Sequence, residues 1–408
     1  MNANRPLIFV PGIRTSTLAI KNENRNGGQL EHIWPLMPHE FLVREKLDRV
    51  FQYLETKIRT KADDDDEVQV VATGLIPFAY DGLIKSILSW GYIPGVNFWV
   101  FPYDWRQSNN VSGQLLARFI EQKIDGGGDK CRDGVDIISH SMGGIITRAA
   151  YKYGAPIRRS AYIACPHFGS PLAYFMLHPE IDSRRFMGSV YPDPYIMHTN
   201  TKFYWQSSDT DDIDPRRRTT TLYQRRKELF VKFPSIYELL PDESYLDSRP
   251  LLFVDGKPIW GVDDTYLKND WAFKTQDMQR NVRKAMQFKR DLGLEIPGNK
   301  EHDDVLLICG TDKMTCDTIE YKTHYQASIT TLQKRRNGTT YVMQRGFSLP
   351  YDSGRQHQGD GYVPITSAMA SLNGIPTYAN TVGIPEIPHA ILPNEKTTTE
   401  SIRGFLIS

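Results

Sequence analysis

The chain has 408 residues, 40% of them apolar and 11% aromatic, enough to bury a large core or two, which excludes disorder as a description of the whole. Its 49 Lys and Arg nearly cancel its 48 Asp and Glu, so no global field favours nucleic acid or another strongly charged partner. The four cysteines, Cys131, Cys165, Cys309 and Cys316, form no CxxC pair, which argues against a disulfide framework or a zinc site and for buried thiols.

The chain opens MNANRPLIFVPGI. Its apolar run of about five residues is too short for the apolar segment of a secretory signal, and no stretch approaches the roughly 18 consecutive apolar residues of a membrane helix. The expectation is a soluble, unexported, cytoplasmic protein. Short β-branched runs then recur at 6–10, 68–73, 97–101, 135–138, 161–164, 304–308 and 377–382. Runs apolar on both faces suit central strands of a mostly parallel sheet covered by helices. Residues 19–67 form an excursion whose acidic end, Asp63 to Glu67, reads as a solvated loop. The stretch NVSGQLLARFIEQKI places Val111, Leu115 and Phe119 on one helical face, behind the capping candidates Ser108 and Asn109.

From 172 to 300 the pattern becomes aromatic, proline-punctuated and charged, without evident sheet strands. This reads as an insertion over the sheet, dividing the chain into a first core segment (1–171), a cap (172–300) and a second core segment (301–408). Within the last, an excursion at 317–350 alternates around Asn337-Gly338, a hairpin signal.

Ser139-His140-Ser141-Met142-Gly143 follows one of the buried strand runs and precedes a helical pattern. That is the setting of the G-x-S-x-G nucleophile elbow, with serine at the first small position. A tight turn there lifts the Ser141 hydroxyl above the sheet edge and aims helix N-terminal amides at the same point. The first strand ends in Pro11-Gly12, a turn that can supply a second backbone donor; Ile13 and Met142 are the candidate oxyanion donors, with Gly12 and Gly143 supporting. Asp360, in QGDGYVP, and His389, in IPEIPHAILP, complete the order Ser, Asp, His expected of an α/β hydrolase. His389 is then the general base and acid, and Asp360 its orienting carboxylate. Asp312, directly after the 304–308 run, competes for the acid role. His140 is expected to point away from the nucleophile, and His357 is a rival base.

These residues carry a resemblance. With FVPG (9–12), WGYIPGVNFWVFPYDWR (90–106), SHSMGG (139–144), FPSIYELLP (233–241) and GDGYVP (359–364), the chain resembles the lecithin:cholesterol acyltransferase family of α/β hydrolases, which includes lysosomal-type phospholipase A2 and bacterial members. The resemblance implies an α/β-hydrolase fold with an inserted cap, a Ser141, Asp360, His389 triad, oxyanion donors at Ile13 and Met142, and a structural corner at Tyr103-Asp104-Trp105-Arg106. The residues read independently agree on the corner: Asp104 and Arg106 suit a buried, charge-assisted pair. The turn after Gly12 departs from relatives in lacking a further glycine.

The expected activity is ester hydrolysis through an acyl-enzyme on Ser141, with no cofactor and no metal. The alternatives are transfer of the acyl group to an alcohol, and a catalytically silent lipid-binding protein. Aromatic residues of the insertion (Phe175, Tyr191, Tyr195, Phe203, Tyr204, Trp205, Tyr223) suit an acyl pocket, a lid or a small core of their own. The basic clusters 216–218, 225–227 and 334–336 suit solvated faces or transient contact with a lipid surface.

Overall fold

The computed structural model describes residues 5–22, 30–35, 50–55, 58, 61, 68–127, 134–178, 228–269, 272–297, 304–321, 333–334, 340–341, 343–344, 347–348, 358–372 and 378–407. Its centre is a six-stranded sheet in the order β18-β10-β7-β6-β1-β5, built from β1 (Leu7–Val10), β5 (Phe98–Val100), β6 (Val135–His140), β7 (Ile157–Ile163), β10 (Val305–Thr311) and β18 (Asn380–Pro385). Every pairing in it is parallel. All the expected runs enter this sheet except 68–73.

Strand periodicity explains why these segments are apolar throughout. In β1, Ile8 and Val10 face one core while Leu7 and Phe9 face another, so both sides of the strand are buried. Helices α1 (Asp81–Ser89) and α4 (Lys396–Ile407) cover one face with Leu83, Ile87, Ile402 and Phe405. On the other lie α2 (Asn109–Gly127) and α3 (Met142–Lys152), with Leu116, Ile120, Ile145 and Ala149.

The buried face of α2 is rotated from the expected one. Leu116 and Ile120 are fully buried, whereas Leu115 and Phe119 are only half-buried. The cause is Gly113: a Cβ there would stand 2.3 Å from the Ala149 Cβ, so α2 and α3 approach along the glycine side. Ser108 does cap the helix, its Oγ accepting from the Asn110 N–H at 3.2 Å.

Three further corrections concern the excursions. The 68–73 run lies in β4 (Val68–Leu75), which joins β2 (Ser16–Asn22) and β3 (Leu30–Trp34) in a separate antiparallel sheet. Residues 16–22 and 30–34 are therefore strand, and the acidic run 63–66 lies outside the described residues. The 172–300 range does hold sheet: β8 (Leu252–Val254) and β9 (Lys257–Ile259) pair with each other and, through β8, with β12 (Ile319–Tyr321) of the second excursion. Strands of three residues leave no legible period in a sequence. The pair β13 (Gln333–Lys334) and β14 (Thr340–Tyr341) is antiparallel, as a hairpin about Asn337-Gly338 requires, though the turn itself is outside the described residues.

The FPSIYELLP segment is a seam between residues 228–297 and the core. Leu239 O accepts from the Ser170 N–H at 2.7 Å and Leu240 O accepts from Lys289 Nζ at 2.7 Å. Gly169, at φ 97°, is obligatory beneath it, because a Cβ would stand 2.3 Å from Leu240 O. Glu238 reaches the start of α2, accepting from Ser108 Oγ at 2.5 Å and the Asn109 N–H at 2.6 Å. Of the aromatic residues singled out in the insertion, Phe175 is described, and it is wholly buried in the main core beside Phe233 and Tyr174. The others, and the clusters 216–218 and 225–227, lie outside the described residues.

Cys165, Cys309 and Cys316 are free and buried, and burial pushes the Cys165 thiol up to about 12. Among the described residues no helix is long and apolar enough to cross a membrane.

Burial raises the Glu238 carboxyl to about 7, against the two hydrogen bonds that favour its charge. A folded pKa above the unfolded value of 4.5 means that proton binding favours the fold. The contribution is complete below about pH 4.5 and is lost as pH rises through about 7. Buried Lys289, lowered to about 8, acts only at higher pH. Thermal melts across this range should therefore show wild-type stability falling more steeply than that of Glu238→Gln.

Candidate active site

The site forms where β1 and β6 end. Ser141 directly follows β6 and is the N-cap of α3, with φ 54° and ψ −128°, a left-handed backbone that costs a non-glycine residue strain. The neighbouring glycines make the turn possible. A Cβ on Gly143 would stand 2.4 Å from Val10 O, and one on Gly144 2.2 Å from Cys165 Sγ. Helix α3 thus seats against the end of β1 and the loop after β7, and Ser141, 7% exposed, is held at the rim.

Two loops far away in sequence meet this hydroxyl. His389, beyond β18, places Nε2 2.9 Å from Ser141 Oγ and Nδ1 2.7 Å from Asp360 Oδ2. Asp360 follows β17 (Gln358–Gly359) and is fully buried. Its Oδ1 accepts from the N–H groups of Tyr362 and Val363 at 2.9 and 2.8 Å, and its carbonyl accepts from the His389 N–H at 3.1 Å. The Tyr362 ring stacks on the imidazole, centroids 5.3 Å apart. Gly310 admits the carboxylate, since a Cβ there would be 2.4 Å from the Asp360 Cβ. The geometry fixes His389 with a proton on Nδ1, leaving Nε2 to take the serine proton.

Asp312, the competing acid, is not brought to the site. It sits at φ 61° and accepts from Thr311 Oγ1 at 2.8 Å. His357, the rival base, lies outside the described residues.

His140 corrects the expectation that it points away. Its ring lies 4.8 Å from that of His389, Nδ1 is 2.9 Å from Tyr80 Oη, and Nε2 is 3.2 Å from the His389 carbonyl. The reason is strand alternation: residues 138 and 140 of β6 share the face on which Tyr80 packs, and the His389 loop crosses that same face. Burial, and the neighbouring His389, hold the His140 pKa well below its usual value, so this imidazole is neutral.

On the donor side, the Gly12 N–H is taken by Tyr80 Oη at 2.9 Å. Among the described residues no hydrogen bond engages the N–H of Ile13 or of Met142, which leaves both available to an oxyanion. The corner 103–106 braces this turn. Tyr103 Oη donates to Pro11 O at 2.9 Å. Arg106 grips Asp104 through Nε to Oδ1 at 2.9 Å and Nη2 to Oδ2 at 2.7 Å, and Nη1 donates to Leu54 O at 3.0 Å. Both side chains are buried, so the fork serves position, not chemistry. A cavity of about 180 Å³ opens over Ser141, walled mainly by apolar side chains such as Ile13, Trp34, Ile76, Leu172, Met176 and Leu239.

The sequence profile of the lecithin:cholesterol acyltransferase family matches residues 67–179, a span that holds the corner and the serine turn. Lecithin-cholesterol acyltransferase-like 4 of Arabidopsis thaliana is 28% identical over 166 residues, 35% of this chain. Residues 67–179 are thus similar to the lecithin:cholesterol acyltransferase family. The match to the Arabidopsis member spans 29% of that protein's length. Among solved structures, a chain of the Tle4–Tli4 complex overlays with a TM-score of 0.56 at 14% identity, covering 100% of this chain and 98% of that one, a likeness of fold. The mature form of the Bacillus licheniformis lipase BlEst2 aligns with a TM-score of 0.38 at 12% identity, over 100% of this chain and 94% of that one. The fold is that of the α/β hydrolases. Asp360 and His389 fall outside the stretch matched by the family profile, and only the folded chain brings them to Ser141.

Sequence reasoning missed Tyr80. One tyrosine among 21, in a loop with no motif, gives no signal until the fold sets it beside Gly12 and His140.

Asp360→Asn should lower turnover of a p-nitrophenyl ester about 10³- to 10⁴-fold by upsetting the His389 tautomer, whereas Asp312→Asn should stay within about twofold of wild type. Steady-state kinetics on the two purified variants checks this.

Proposed function

We propose that this chain is a serine hydrolase that cleaves carboxylic esters of acyl or lipid substrates. The observation that carries the reading is the unbroken chain from Asp360 Oδ2 through His389 to Ser141 Oγ, with links of 2.7 and 2.9 Å. His389 removes the Ser141 proton as Oγ attacks the ester carbonyl. The tetrahedral oxyanion is received by the N–H groups of Ile13 and Met142, where each donor is worth about 2.7–4 kcal/mol of barrier. His389 then protonates the departing alkoxide, leaving an acyl-enzyme, and repeats the cycle with water as nucleophile. The apolar cavity suits the acyl chain, and the match of residues 67–179 to the lecithin:cholesterol acyltransferase profile supports a lipid or acyl ester as the substrate class. The basic clusters of the 172–300 cap fit transient contact with an anionic lipid surface within the same proposal.

Transfer of the acyl group to an alcohol shares every step up to the acyl-enzyme. It is favoured by the apolar character of the cavity, in which an alcohol competes with water for the acyl group, and the Arabidopsis relative is named as an acyltransferase. A silent lipid-binding protein has no use for an intact proton path.

A fluorescent phosphonate should label wild type at a single site and leave Ser141→Ala unlabelled, with ester turnover reduced by about 10⁴-fold or more. Equal labelling of the two refutes the assignment. Added short-chain alcohol should divert product from free acid to new ester if transfer dominates, and product analysis by mass spectrometry reads the ratio.

A further inference from the structure

We propose that Tyr80 and His140 are positioning residues that lock the oxyanion turn and the base loop into one network. The proposal rests on the serine-hydrolase reading. Neither residue stands in the proton path from Asp360 to Ser141, yet both border the same cavity and both are buried.

The network can be assigned proton by proton. The His389 carbonyl is an acceptor only, so the His140 Nε2 at 3.2 Å must carry hydrogen. His140 is neutral, and its Nδ1 is therefore an acceptor. Tyr80, 2.9 Å from that nitrogen, donates its single hydroxyl proton there. The Tyr80 oxygen then accepts from the Gly12 N–H at 2.9 Å. Thr15 Oγ1, 3.1 Å from Tyr80 Oη, spends its own proton on the Gly12 carbonyl, closing the turn that presents Ile13. One directed run thus links Gly12 N–H, Tyr80 O–H, His140 and the backbone of His389, each member donating to the next.

Two consequences for the reaction follow. Gly12 has no N–H to spare for substrate, so the donor from this turn is Ile13. The turn that presents Ile13 and the loop that carries His389 are tied to each other through this buried run. A shift of about 1 Å in either can cost on the order of 100-fold in rate. The Tyr80 ring also packs edge-on against Phe9, centroids 4.7 Å apart, so removing only the hydroxyl spares the packing.

Tyr80→Phe, His140→Leu, His140→Gln and the Tyr80→Phe/His140→Leu pair test the proposal, with active sites counted by phosphonate titration. Tyr80→Phe is expected to lower kcat per titrated site about tenfold with KM within about twofold, the pattern of lost transition-state positioning. His140→Gln, which retains a donor toward the His389 carbonyl and an acceptor for Tyr80, should recover most of what His140→Leu loses. The double variant should be no slower than the worse single one, because both cut the same run. Wild-type kcat per site in Tyr80→Phe, or losses that multiply in the double variant, overturns the proposal while phosphonate still labels Ser141. Wild-type protein that does not label at Ser141 overturns the hydrolase reading and this proposal together.

Discussion

Everything at the site depends on one backbone constraint, the left-handed conformation of Ser141 between β6 and α3. The strain is tolerable because Gly143 and Gly144 let the first turn of the helix press against Val10 O and Cys165, distances that a single methyl group would violate. From that seating follow the exposure of one hydroxyl at the rim, the orientation of the Met142 N–H and the reach of the His389 loop. The remaining machinery converges on a position that close packing has already determined.

A second theme is the use of buried polar ties in place of direct catalytic contacts. The Asp104–Arg106 fork and the Tyr103 hydroxyl hold the turn that ends β1 from behind, and the Tyr80–His140 run holds it from the side. Charged or polar groups this deep cost free energy unless they are paired. Their concentration around Gly12 and His389 indicates that exact placement of those two loops outweighs the cost.

The central strands were legible in the sequence because burial on both faces leaves a continuous apolar run. The candidate catalytic residues were legible because strand, turn and helix signals bracket Ser141, and because chain order supplied Asp360 and His389. What could not be read depends on partners distant in the chain. β4 looks like a core strand, but its pairing with Ser16–Asn22 decides which sheet it joins. The buried side of α2 was misjudged because Gly113, invisible to a count of apolar residues, sets the helix contact. The orientation of His140 was misjudged because alternation along β6 turns it toward Tyr80 and the His389 loop, an encounter that adjacency to the nucleophile gives no hint of.

The clasp made by Glu238 bears on the sequence of events by which the chain assembles. Beside the local Ser108 cap, the opening turn of α2 takes an N–H partner from a side chain 129 positions onward. A contact of that span forms only once the later part of the polypeptide has been made and has settled there. The enclosure above Ser141, which needs Leu239 one residue further along, is therefore completed late. Until then the Ser141 hydroxyl lies beneath an unfinished roof.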